Sequence, residues 1–202
     1  MATLYYFHDP MCSWCWGYRP TARKLFSRLP AGVKHMNVVG GLAPDSDEPM
    51  PVEQQKAVAG YWRRIESMLG TRFNHDFWTH CEPRRSTYPA CRAVIAASRQ
   101  GCEEEMTYAI QKAYYLQARN PSDISTLEEL ASELGLDEDN FASDIRSADV
   151  ETEFQRQIAF TRRAQVSGFP SLALDVGGAM NALALDYKNF ETTLSEITQL
   201  LP

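Results

Sequence analysis

The sequence has no uninterrupted apolar run of membrane-spanning length, so a transmembrane helix is not expected and neither is a membrane partner. It has no excess of positive charge: 26 acidic against 20 basic residues give a net charge of −6, which offers nothing to a nucleic-acid backbone or an anionic lipid surface. Met-Ala-Thr-Leu-Tyr-Tyr-Phe carries no basic segment before its apolar residues, so no secretory signal is expected there and the expected location is cytoplasmic. Cysteine is sparse, at five, and an odd count suits a reducing compartment. No second C-x-x-C and no histidine pair at finger spacing accompany Cys12 and Cys15, so a zinc site lacks half its ligands and no metal is expected. With 44% hydrophobic and 23% charged residues, 202 residues are enough for one substantial core, or for a core with an inserted subdomain.

The chemistry on offer is concentrated in Asp9-Pro10-Met11-Cys12-Ser13-Trp14-Cys15-Trp16-Gly17. A β-prone run, residues 3–8, precedes it and a helix-prone run, Tyr18 to Leu29, follows. At such a junction the first cysteine caps a helix, where unpaired N–H groups and the positive dipole end favour a thiolate. The second lies about one turn on, close enough to close a small disulfide. A two-residue loop gains little chain entropy from being closed, so a purely structural disulfide is a poor reading and redox exchange a good one. His8 is either a hydrogen-bonded strand-end histidine or a group that tunes Cys12, and Asp9 either a helix cap or a loop acid.

Along the first helix Leu25, Phe26 and Leu29 fall inward and Arg19, Arg23, Lys24 and Arg28 outward, with Pro20 an expected kink. Val33 to Val39 reads as the second strand, and Ala43 to Pro51 as a proline-rich connector. Helical spacing then dominates. Val52 to Leu69 places Val58, Tyr61, Trp62, Ile65, Met68 and Leu69 on one stripe, ended by Gly70. Phe73, Phe77 and Trp78 read as core aromatics. Ser86 or Thr87 caps the helix that begins near Pro89, and another helix follows over Met106 to Ala118. A capping box at Ser125 and Glu128 opens Thr126 to Leu134, and further helices follow at about 138–147 and 150–164. Cys81, Cys91 and Cys102 lie in this helical region and read as buried, inert thiols. Strand chemistry returns at Val166 to Val176, with a hairpin at Gly177-Gly178, a partner strand over Ala179 to Leu185, and a final helix capped by Asn189. The expected fold is α/β: residues 1–50 and 165–202 around an all-helical insert, 51–164.

Taken with Gly168-Phe169-Pro170, the nine-residue stretch resembles the DsbA-like branch of the thioredoxin superfamily, and within it the predicted protein-disulfide isomerases. The resemblance implies a thioredoxin-like fold with a helical insert, and a thiol–disulfide oxidoreductase or isomerase. Cys12 would be the nucleophile and Cys15 the resolving thiol, with exchange passing through a mixed disulfide. Pro170 would be a cis proline against the pair, exposing the backbone of Phe169 to an extended substrate. Trp14 and Ser13 would flank the same peptide, Thr87 would stand at a helix start facing the redox site, and Trp16 would be buried support. Protein or peptide thiols and disulfides are the implied partners. No cofactor is implied beyond the redox disulfide, with glutathione or another thiol as candidate reductant.

Two departures from the strong oxidants of the branch weigh against an oxidising role. Ser13-Trp14 holds no histidine between the cysteines, and Tyr6 stands where some relatives carry a buried acid. An alternative is a glutathione-dependent transferase or isomerase of the kappa-class or 2-hydroxychromene-2-carboxylate isomerase type. Those relatives generally use one nucleophile, whereas this chain has both cysteines. A redox-inert binding module would leave the motif without a use.

Overall fold

The computed structural model describes residues 2–202. Its architecture follows from which runs alternate and which repeat at helical spacing. Strand β1 (Ala2–His8) leads through Cys12 into helix α1 (Ser13–Phe26), which returns to β2 (Val33–Val39). Helices α2 (Val52–Leu69), α3 (Phe77–His80), α4 (Tyr88–Ser98), α5 (Glu103–Leu116), α6 (Ile124–Glu133), α7 (Glu138–Asp144) and α8 (Ala148–Arg163) follow without a strand between them. The chain then re-enters the sheet as β3 (Ser171–Val176) and β4 (Ala179–Leu183) and ends on α9 (Phe190–Leu200). Among the described residues no helix is long and apolar enough to cross a membrane.

The sheet order is β2-β1-β3-β4. Strands β1 and β2 run parallel, with Leu4 opposite His35, while β1 and β3 run antiparallel, with Leu4 opposite Leu174. Alternation along β1 then divides its side chains. Leu4 and Tyr6 join Leu172 and Leu174 beneath Tyr18, Ala22 and Leu25 of α1 and Ile197 of α9. Phe7, Val38 and Ala173 face the other way, toward Phe160 of α8. A second and larger core lies among the helices. Its centre is Trp62, fully buried between Phe73, Trp78, Tyr114 and Tyr115 at ring separations of 4.8–5.4 Å. Met11 and Val39 belong to this helical core, so the loop carrying the cysteines is gripped by both halves of the molecule.

Several local expectations are corrected. In α2 the buried stripe is narrower than the spacing suggested: Tyr61 is 51% and Met68 43% exposed, while Trp62 and Ile65 are buried. Helix α6 begins at Ile124 with Asp123 before it and no side-chain cap, so Ser125 lies inside the first turn rather than capping it. Arg19 does not point to solvent. Its guanidinium donates to Gln111 Oε1 at 3.3 Å and sits 4.4 Å from the Tyr108 ring centre, tying α1 to α5. Cys81 and Cys102 are half-buried, and only Cys91 of the three outlying thiols is fully enclosed.

Candidate active site

Cys12 is the N-cap of α1, in extended backbone with φ −83° and ψ 117°, and Cys15 lies within the first turn. Both are free thiols. Cys15 is fully buried and Cys12 is 5% exposed, so only Cys12 offers solvent an approach. Burial, then the hydrogen bond and the charge of neighbouring Cys12, push the Cys15 thiol well above its ordinary value. At rest Cys15 is therefore a protonated thiol.

The late loop closes over the pair from across the sheet. Pairing of β1 with β3 sets Phe7 opposite Ser171, which brings the residues just beyond each strand together. The Phe169–Pro170 bond is cis, and the Cys12 thiol donates to the Phe169 carbonyl at 3.3 Å. Phe169 itself is held by a residue that spacing alone gave no reason to notice. A Cβ on Gly40 would stand 1.9 Å from the tip of the Phe169 ring, so the ring's far end packs against bare backbone just past the end of β2. Trp14 is half-buried on the rim, edge-on to Tyr187 at 5.4 Å, and Ser13 beside it opens the helix. Trp16 is half-buried rather than buried: its indole N–H donates to the Arg72 carbonyl at 3.1 Å and its ring stacks on Tyr115 at 5.7 Å.

Asp9 is the residue whose role the sequence left open. It is wholly buried, and its carboxylate accepts from Met11 N–H at 2.8 Å, Leu42 N–H at 2.7 Å, the Thr87 hydroxyl at 2.7 Å and the Cys91 thiol at 3.5 Å. Its backbone carbonyl takes the Cys12 N–H at 3.0 Å. One acid thus binds the loop before Cys12 to the loop after β2 and to the start of α4. Burial raises its pKa against the pull of these donors, chief among them Thr87.

The expectations for Thr87 and His8 change accordingly. Thr87 is 3% exposed and its hydroxyl is committed to Asp9, so it does not cap α4 with its side chain. Among the described residues His8 has no hydrogen-bond partner on either ring nitrogen. It stacks on Tyr6 at 5.1 Å, and burial holds its pKa down at about 3, so it is neutral. The Tyr6 hydroxyl faces Cys15, and burial, then the two cysteines, drive its pKa well up. Where some relatives are expected to carry a buried acid, this chain places a phenol that keeps its proton.

The family model described as thioredoxin matches residues 5–182. The chain belongs to the thioredoxin family. Within it the fold is DsbA-like. A structure from Nitrosomonas europaea, solved as a candidate protein disulfide isomerase, superposes with a TM-score of 0.84 at 25% identity, covering 98% of this chain and 96% of that one. The cytosolic disulfide reductase DsbM from Pseudomonas aeruginosa superposes with a TM-score of 0.79 at 26% identity, covering 98% of each. The ClpXP adapter protein SpxH of Bacillus subtilis is 27% identical over 173 residues, which are 84% of this chain and 56% of that protein. The chain spans little more than half the length of such curated relatives.

Proposed function

We propose that this protein is a thiol–disulfide oxidoreductase that works in the reducing direction on protein or peptide disulfides. The observation that carries the reading is the asymmetry of the pair: one thiol that keeps a remnant of exposure beneath the Phe169 carbonyl, the other wholly buried and protonated one turn away. In the forward step the Cys12 thiolate attacks a substrate disulfide. A Cys12–substrate disulfide forms and the first substrate thiolate leaves. The Cys15 thiol gives up its proton and attacks the Cys12 sulfur, forming the Cys12–Cys15 disulfide and releasing the second substrate thiolate. A small external thiol such as glutathione would return the pair to the dithiol. The absence of a histidine between the cysteines supports reduction over oxidation, since no cation there stabilises the reduced thiolate. Similarity to a cytosolic disulfide reductase supports the same direction and a cytoplasmic setting.

Cys15→Ser tests the reading. It will accumulate protein adducts on Cys12 that dithiothreitol cleaves, while disulfide turnover falls by orders of magnitude. A glutathione-dependent transferase needs one activated group. Near-normal activity of Cys15→Ser with no trapped partner would therefore overturn the disulfide-exchange mechanism. Similarity to SpxH favours an adapter as the second reading. An adapter holds its partner without chemistry, so binding that survives Cys12→Ser together with Cys15→Ser would favour it.

A further inference from the structure

Beside the cysteine pair a groove of about 700 Å³ runs along the outer flank of α1, between the end of α2, Tyr108 of α5 and the turn before α9. Its lining is unlike the rest of the chain. It includes Arg19, Arg23, Arg72 and Lys188 and no acidic residue, although acidic residues outnumber basic ones 26 to 20 overall. Among the described residues none of these four cations forms a salt bridge. The carboxylate neighbouring Lys188, that of Asp186, is taken up by the Lys188 and Asn189 N–H groups and the Thr192 hydroxyl. Between the cations lie Met68, Tyr108 and Leu116, exposed by 43%, 41% and 37%, three of the eight large hydrophobic side chains exposed in the described residues.

The groove also points at the chemistry. Trp16 and Arg19 are one and two turns beyond Cys12 on the same side of α1, so the lining begins about 6 Å along the axis from the nucleophile and reaches about 16 Å at Arg23. On the rim, the Arg64 guanidinium lies 5.8 Å from the Trp14 ring centre and has no ion-pair partner among the described residues either.

We propose that this groove is the docking site for an acidic peptide segment with apolar anchor residues, belonging to the protein whose disulfide Cys12 attacks. The proposal rests on the disulfide-exchange reading and names its substrate class. A peptide suits the groove better than a small anionic thiol. Arg19 is already engaged by Gln111 and the Tyr108 ring, but the exposed cations Arg23, Arg72 and Lys188 stand on three separate segments, and a molecule with two carboxylates would leave one of them unanswered and the apolar patches uncovered.

The test uses two short synthetic peptide disulfides of one sequence, with leucine and phenylalanine anchors, one bearing aspartate and glutamate and the other asparagine and glutamine. The groove variant combines Arg23→Glu, Arg72→Glu and Lys188→Glu. A control variant combines Arg28→Glu, Lys34→Glu and Arg162→Glu, an equal change of charge outside the groove. The wild type will prefer the acidic peptide. The groove variant will raise its KM about tenfold, as three exposed ion pairs of ordinary strength would. The control variant, the neutral peptide and a small aromatic disulfide will each change less than twofold. Equal use of the two peptides by the wild type, or an equal loss in the control variant, would overturn the proposal. So would a groove variant impaired only toward glutathione disulfide, which would make the groove a small-thiol site. If the wild type reduces no disulfide at all, the exchange reading fails by itself. Fluorescence anisotropy of the labelled, cysteine-free acidic peptide then decides the groove: binding lost in the groove variant upholds it, and no binding to the wild type refutes it.

Discussion

Replacing Asp9 with asparagine will destabilise the protein by about 2 kcal/mol. Asparagine offers one acceptor oxygen where aspartate offers two. If the amide oxygen stays on Met11 N–H, the amide nitrogen confronts Leu42 N–H, and if the amide flips, it confronts Met11 N–H. Thr87 is no obstacle, because its hydroxyl can turn to the Ala43 carbonyl 3.4 Å away. Either orientation leaves one buried backbone donor unmatched, at about 1–3 kcal/mol, and loses a charge-assisted bond, offset in part by no longer burying a charge. For a chain of this size the melting temperature falls by about 4–8 °C. Asp9→Ala, with both backbone donors orphaned, will fall further. The pH dependence supplies a second check. The folded-state pKa of Asp9 is raised, so the native state holds its proton more tightly than the unfolded chain does. Its contribution to stability is fully present below the ordinary value of 3.8 and is lost as pH rises through the folded pKa. The deficit of Asp9→Asn therefore shrinks as pH rises. Thermal unfolding from pH 4 to 8 measures both, and an unchanged melting temperature, or a deficit that grows with pH, would refute the account of Asp9 as the tie of the loop.

Gly40→Ala will displace the Phe169 ring and with it the carbonyl that receives the Cys12 thiol. Disulfide turnover will fall several-fold beside a stability loss of about 1–3 kcal/mol, and unaltered kinetics would show that the ring's seat is immaterial. His8 titrates near 3 in the folded state against an ordinary 6.5, so it withdraws stability as pH falls through that interval. His8→Phe, stacking equally well on Tyr6, will flatten the acid limb of a stability-against-pH curve, though not abolish it, because half-buried His35 is lowered to about 4 in the same direction. A limb as steep as in the wild type would place the acid sensitivity elsewhere. Trp62→Ala will cost about 3–5 kcal/mol by denaturant titration, and a loss below 1 kcal/mol would mean that the helical core does not depend on it.

The parts of this structure that were legible in the sequence are those decided within one element. Val33 to Val39 and Val52 to Leu69 are bounded as their periodicity indicates, because glycine and proline stand at their ends. The cysteine pair and the Phe169-Pro170 loop were legible because each is a short, distinctive string. What escaped notice depends on partners far along the chain. Asp9 takes its meaning from Leu42, Thr87 and Cys91, which lie 33, 78 and 82 residues away. Arg19 looked outward because helical spacing cannot know that Gln111 and Tyr108 will lie beside it. Thr87 has the chemistry of a cap and stands at the capping position, yet a buried carboxylate competes successfully for its hydroxyl.

The bond between Cys12 and the Phe169 carbonyl joins groups 157 residues apart. A ribosome makes the thiols early and the loop that covers them late. While the 157 intervening positions are being made the pair is an ordinary, uncovered dithiol on an incomplete chain, open to whatever oxidant or electrophile it meets. A compartment that keeps thiols reduced would thus protect the protein while it is being made, before it could be of service once finished.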